Sequence, residues 1–223
     1  MIEKNVSLNQ QAQPSITKGD NMSNLEVEVK FYLTDMMHTR KMLLEVGAIF
    51  DEKSLEINNR FEDDHGSLIK RGALLRLRQT DTRTLLTYKG KVPNPASDCK
   101  VYEEREVTVS DFEEMTGILR SIGYRPVQRY EKIRETCRLG DTLICLDQMP
   151  YGSFMEIEGD PAMIRKTAEK LGFGWKNRIL ANYLAIFEAL KDKYNLEFND
   201  VTFDNFRNVT IDFESCLDLF VAG

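Results

Sequence analysis

The sequence predicts an α+β fold: an eight-stranded, mostly antiparallel β-barrel with helices packed outside. Three observations carry this expectation. Charged residues stand two apart inside runs that are otherwise apolar, as in Glu26-Val27-Glu28-Val29-Lys30 and Glu156-Ile157-Glu158, which is the side-chain period of a strand. Short polar pairs, Asp81-Thr82 and Gly140-Asp141, separate neighbouring runs and suit hairpin turns. Thr34-Asp35, Ser110-Asp111 and Asp160-Pro161 are helix-start signals that follow strands. Closure follows because it removes exposed strand edges.

In chain order, residues 1 to 23 are rich in Asn, Gln, Ser and Lys, contain Pro14 and Gly19, and lack an apolar period, so a mobile tail is expected there. Met22 stands within it as an alternative start. A strand over about 25 to 33 leads into a helix through Met37, Leu43, Leu44 and Val46 that stops at Gly47. Strands follow at about 54 to 62, 73 to 80 and 83 to 90. Val92 to Lys100, with Pro93 and Pro95, reads as a flexible loop.

A strand at about 101 to 109 then runs into a helix that ends before Gly123. Further strands are expected at about 127 to 138, 141 to 148 and 153 to 159. Asp160 and Pro161 begin a helix ending near Gly172, and another at about 178 to 194 carries Ile179, Tyr183, Ile186, Phe187 and Leu190. Residues 24 to 194 form the expected domain. Residues 195 to 223 form a C-terminal extension, read as a strand plus a short helix.

The chain has 223 residues, 42% of them hydrophobic, enough for one domain with a sizeable core. Its net charge of -6 lacks the basic footprint of a nucleic-acid binder, so affinity for an anion has to come from local clustering. Cys99, Cys137, Cys145 and Cys216 show no CxxC spacing, and no run is apolar and long enough to span a membrane; a reduced, cytoplasmic protein is expected. His38 and His65 are too few and too far apart to found a zinc site.

Each charged pair has a plain reading as the solvated face of a half-buried strand. Their conjunction is more informative. Arg76 and Arg78 flank Leu77, and Lys132 and Arg134 flank Ile133, so each pair offers cations on one face. Guanidinium forks match phosphate oxygens. Glu26 and Glu28, Glu104 and Glu106, and Glu156 and Glu158 are paired carboxylates whose repulsion a hard cation such as Mg²⁺ or Mn²⁺ relieves. Asp147, closing Leu143-Ile144-Cys145-Leu146, is a turn residue or a further ligand. Acidic strands around basic ones suit a metal-bound polyphosphate.

The ordered set of Glu26-x-Glu28-x-Lys30, Leu75-Arg76-Leu77-Arg78, Tyr88-Lys89-Gly90, Glu104-Arg105-Glu106, Lys132-Ile133-Arg134, Leu146-Asp147 and Gly152-Ser153-Phe154-Met155-Glu156-Ile157-Glu158 resembles the CYTH superfamily. These are the triphosphate tunnel proteins, which include class IV adenylyl cyclases and thiamine triphosphatases. The resemblance spans about residues 24 to 190 and implies an eight-stranded antiparallel tunnel. It implies that Lys30, Arg76, Arg78, Lys89, Lys132 and Arg134 bind a triphosphate. It assigns divalent metal binding to Glu26, Glu28, Glu104, Glu106, Asp147, Glu156 and Glu158, and catalytic roles to Lys89, Arg134 and Asp147.

Gly152-x-Phe154-x-Glu156 and Asn182-Tyr183-Leu184 look closest to the cyclase branch, so conversion of ATP to cyclic AMP and pyrophosphate with Mg²⁺ or Mn²⁺ is the first expectation. Hydrolysis of tripolyphosphate or thiamine triphosphate is the alternative, and nucleotide or polyphosphate binding without turnover is a second. One departure bears on hydrolysis. Many members carry Tyr-Phe-Asp on the second strand, and here the residues are Arg60-Phe61-Glu62. No nucleic-acid or membrane partner is expected, and the resemblance leaves room for a homodimer through an outer face.

Overall fold

The computed structural model describes residues 25–93 and 98–222. The expected N-terminal tail lies outside the described residues, as does the middle of the loop after Val92. Eight strands are present: β1 (Leu25–Leu33), β2 (Ile49–Glu62), β3 (Leu74–Gln79), β4 (Thr84–Lys91), β5 (Lys100–Val109), β6 (Arg125–Leu139), β7 (Thr142–Met149) and β8 (Gly152–Glu158). They join in the order β1-β5-β4-β3-β2-β6-β7-β8, and β8 pairs back with β1, so the sheet closes on itself. Every neighbouring pair is antiparallel.

Alternation decides what faces in. On β1, Val29, Phe31 and Leu33 turn outward, where they join Ile144, Leu146, Met155 and Ile157 beneath Leu43 of α1 (Met36–Glu45) and Ile164 and Ala168 of α4 (Pro161–Lys170). Each of the larger of these side chains, once buried, contributes roughly 1.5–3 kcal/mol. A smaller outer cluster sets Phe61 and Leu77 against Leu119 of α3 (Phe112–Ser121). The helices start where the sequence signals them. Asp35, Asp111 and Asp160 each accept a backbone N–H of the first turn, and Pro161 occupies the first turn of α4. A four-residue helix, α2 (Ser67–Lys70), has the Glu62 carboxylate on its N-terminal N–H groups.

The third cluster is different in kind, because it is built on inward-facing residues. Tyr130 shares a face with Lys132, and Phe154 with Glu156. Both meet Tyr183, Ile186, Phe187 and Leu190 of α5 (Tyr183–Tyr194), together with Val201, Phe206, Phe213 and Phe220. Phe154 lies 5.3 Å from the Tyr183 ring and 5.1 Å from that of Phe213, both edge-on. Aromatic packing thus stoppers one end of the barrel, leaving the polar lumen beyond it.

Two expectations about elements are corrected. Ile179 is not helical: its N–H and C=O pair with the backbone of Lys30, and it also bridges Val221, so α5 starts only at Tyr183, capped by the Asn182 side chain. Of the strand and short helix expected after Asn195, the strand is absent, Val201 making a single parallel bridge to Tyr130, and the short helix is present as the 3-10 helix Glu214–Leu219. Strand β2 also begins earlier than expected, at Ile49, with a register shift between Phe50 and Lys53.

Candidate functional site

Inward-facing charges fill the lumen in two linked sectors. In the first, cations and carboxylates alternate. Arg134 grips Asp147 with Nε and Nη2 at 2.6 and 2.5 Å and also reaches Glu156. Lys132 lies 3.1 Å from Asp147 and 3.5 Å from Glu56. Arg78 lies 3.3 Å from Glu56 and donates to Asn58 at 3.2 Å, while Lys30 pairs with Glu156. From outside the barrel, α5 adds the Tyr183 hydroxyl, donating to Asp147 at 2.8 Å, and its ring faces the Lys30 ammonium 4.0 Å away.

Burial decides the chemistry here. Asp147 is 0% exposed, Lys30 1% and Lys132 3%, and charges so far from water persist only where opposite charges and hydrogen bonds surround them. Burial pushes Glu56 up, but Lys132, Arg78, Arg134 and Arg76 outweigh it and hold that carboxyl well below the usual range. Glu156 is held low in the same way, burial being overcome by Lys30, Arg134 and Lys132.

The second sector is richer in carboxylate. Oxygens of Glu26, Glu28 and Glu158 lie within 4.8 Å of one another. Register brings them together, since Glu28 stands directly opposite Glu158 across the β1–β8 seam. Lys100 pairs with Glu28, and Lys89 with Glu26 and, at 3.6 Å, with Glu104. Burial and Glu156 raise Glu28, but Lys100, Lys30 and Lys89 prevail and bring it to about 2. Glu158 lacks such relief: burial, then Glu26, then Glu28 and Glu156 push it up to about 8 against Arg134. Glu26 is raised too, chiefly by burial, despite Lys89. A cluster of hard oxygen donors that repel one another fits a divalent cation.

Arg76 links the two sectors. Its Nη1 donates to the Tyr130 hydroxyl at 3.1 Å and its Nη2 to Thr87 at 3.3 Å, and Thr87 in turn donates to Glu106 at 2.7 Å. The Arg76 Nε hydrogen is buried with no acceptor among the described residues.

All thirteen anticipated residues are inward-facing by strand parity, but the seven acidic ones do not form one group. Glu26, Glu28 and Glu158 cluster; Asp147 and Glu156 are held by lysine and arginine; Glu104 lies beside Lys89; Glu106 lies beside Thr87. The sequence reading missed Glu56, Asn58, Lys100 and Tyr183. Glu56 and Asn58 were legible in principle, as they alternate with Ser54 and Arg60 on the inward face of β2. Arg60 itself stands opposite Arg76.

The class the structure defines is a closed antiparallel barrel whose lumen carries ordered cations and carboxylates. The CYTH domain model matches residues 24–172, and the chain belongs to this family. A Methanocaldococcus jannaschii protein provisionally named adenylate cyclase is 28% identical over 167 residues, covering 74% of this chain and 89% of that protein. A Vibrio parahaemolyticus structure with the same provisional name superposes with a TM-score of 0.63 at 20% identity, covering 75% and 99% of the two chains. A Hippeastrum structure, TM-score 0.55 and 16% identity, covers 74% and 95%; that protein is provisionally named an adenylyl cyclase and is described as having a dominant triphosphatase activity. CYTH proteins are generally divalent-metal dependent and act on triphosphates, and no helix among the described residues is long and apolar enough to cross a membrane.

Proposed function

We propose that this chain is a Mg²⁺- or Mn²⁺-dependent enzyme acting on a triphosphate, and that it converts ATP to cyclic AMP and pyrophosphate. The observation that carries the reading is the pairing of the Glu26–Glu28–Glu158 cluster with a wall of cations in one lumen. Glu26, Glu28 and Glu158 would hold the ion, with Glu104 and Glu106 farther round the wall. Bound there, a divalent ion lowers the pKa of an oxygen nucleophile and screens phosphoryl charge.

The chain's own residues do the rest. Arg76, Arg78, Lys132 and Arg134 hold phosphoryl oxygens and stabilise charge on the departing pyrophosphate. Lys30 and Lys89 extend that wall. Asp147 keeps Arg134 and Lys132 in place, since it is bonded to both. With the phosphates so fixed, the ribose hydroxyl meets the α-phosphorus in line, and orientation alone lowers the barrier by several kcal/mol. The cyclase name of the Methanocaldococcus jannaschii relative supports this reading.

A second reading is hydrolysis of tripolyphosphate or thiamine triphosphate in the same lumen. It draws on the Hippeastrum protein, in which a cyclase name and a dominant triphosphatase activity coexist. Incubation with Mn²⁺ and either ATP or tripolyphosphate separates the two. Cyclic AMP with pyrophosphate supports cyclisation, and orthophosphate supports hydrolysis. Binding with neither product would leave a sensing module, and absence of both binding and turnover would sink the triphosphate reading.

A further inference from the structure

Tyr130 has no part in the proposed reaction, yet its hydroxyl sits against the triphosphate wall. It lies on β6 two residues before Lys132 and on the same face, 5% exposed. Its hydroxyl oxygen accepts from Arg76 Nη1 at 3.1 Å, leaving its own hydrogen without an acceptor among the described residues. Arg76 is equally buried, 5% exposed, and its Nε hydrogen also lacks one. Strand β2 lies between β3 and β6, and its Asn58 pairs with Arg78 on one side and Tyr130 on the other. Arg76 therefore reaches over the inner face of β2 to meet the phenol.

An N–H and an O–H donor on groups in mutual contact, both buried and both unanswered, are costly in an empty pocket and complementary to an anion that carries several oxygens. A phenol that served only to satisfy Arg76 would leave the Nε donor unexplained. Arg76, Arg78 and Lys132 also surround Tyr130, and although burial opposes it, they lower the phenol below its usual pKa, which makes it a stronger donor.

We infer that Tyr130 is a ligand-binding residue, donating its hydroxyl hydrogen to one phosphoryl group of a polyphosphate while Arg76 Nε, on the opposite edge of the guanidinium, holds a neighbouring one. This rests on the triphosphate reading and deepens it. The subsite is selective for a ligand that presents phosphoryl oxygens to both edges of the guanidinium, as a polyphosphate chain does. Ring packing against the aromatic stopper fixes the hydroxyl in place before the ligand arrives.

The test is calorimetric titration of tripolyphosphate, without added metal, into the full chain and into Tyr130→Phe, which keeps the ring. The substitution is expected to weaken binding about tenfold or more. Ultraviolet difference titration of the unmodified chain supplies a measurement that does not depend on the variant's folding. Tripolyphosphate should raise one tyrosine ionisation step, and that step should be missing in Tyr130→Phe. Affinity within twofold of the unmodified chain in a folded variant, or no ligand-dependent tyrosine step, overturns the inference while the triphosphate reading stands. Failure of the unmodified chain to bind tripolyphosphate both without metal and with Mn²⁺ overturns both.

Discussion

Asp147 and Glu158 are lumen carboxylates only one strand apart, and they meet opposite fates. Asp147, wholly buried, is answered by Arg134, Lys132 and the Tyr183 hydroxyl. Glu158 faces Glu28 across the seam, with Glu26 beside it, and is pushed up to about 8. Cation supply makes the difference. Where strands carrying lysine and arginine adjoin a carboxylate, the chain answers it itself; where β1 and β8 bring acid against acid, burial and repulsion raise Glu158 instead.

The largest expected effect comes from breaking the completed sector. Asp147→Ala removes the buried carboxylate that Arg134, Lys132 and the Tyr183 hydroxyl share, a loss of about 3–5 kcal/mol that denaturant unfolding would read. A cost below 1 kcal/mol would mean the sector is hydrated and the contrast false. Tyr183→Phe removes one charge-assisted bond to Asp147 and is expected to cost about 1.5–3 kcal/mol in the same measurement.

The incomplete sector responds to pH instead. Because Glu158 is raised from 4.5 to about 8 in the folded protein, the fold binds a proton that the unfolded chain has already released. Its contribution is fully present below about 4.5 and is lost as pH rises through 8, with a slope of at most about 1.4 kcal/mol per pH unit. Thermal melts should therefore show Glu158→Gln losing less stability than the unmodified chain over that window. Added Mn²⁺ should flatten the unmodified chain's slope and leave the variant's unchanged. The smallest effect serves as reference: Arg165→Ala removes an exposed pair with Glu169 on α4 and should cost about 0.3–0.5 kcal/mol.

What the sequence revealed, and what it hid, follows from where each residue acts. Glu26, Glu28 and Lys30, or Arg76 and Arg78, announce a shared face because a strand repeats every two residues, and one segment contains the whole signal. Lys100 is a single cation at the end of a loop, and nothing local ties it to Glu28. Tyr183 reaches Asp147 from a helix outside the barrel, a contact that only tertiary folding makes. Ile179 fits the apolar period of α5 by coincidence; its backbone goes instead to Lys30, where a strand edge offers paired hydrogen bonds. The division of the acidic residues into answered and unanswered groups was likewise invisible, since it depends on which strands become neighbours in the ring.

Closure of that ring has a kinetic consequence. Strand β1 is the first strand of the barrel in the sequence, yet its partners are β5 and β8, and Lys30 meets Glu156 across a sequence separation of 126. The intervening chain must be ordered before that seam gains anything, so the entropy of closing it is paid late. Folding should show a slow final phase in which β1 docks and the lumen charges leave water together. Until then the β8-facing edge of the strand bearing Glu26, Glu28 and Lys30 stays open, and those three charges keep it from pairing with other chains.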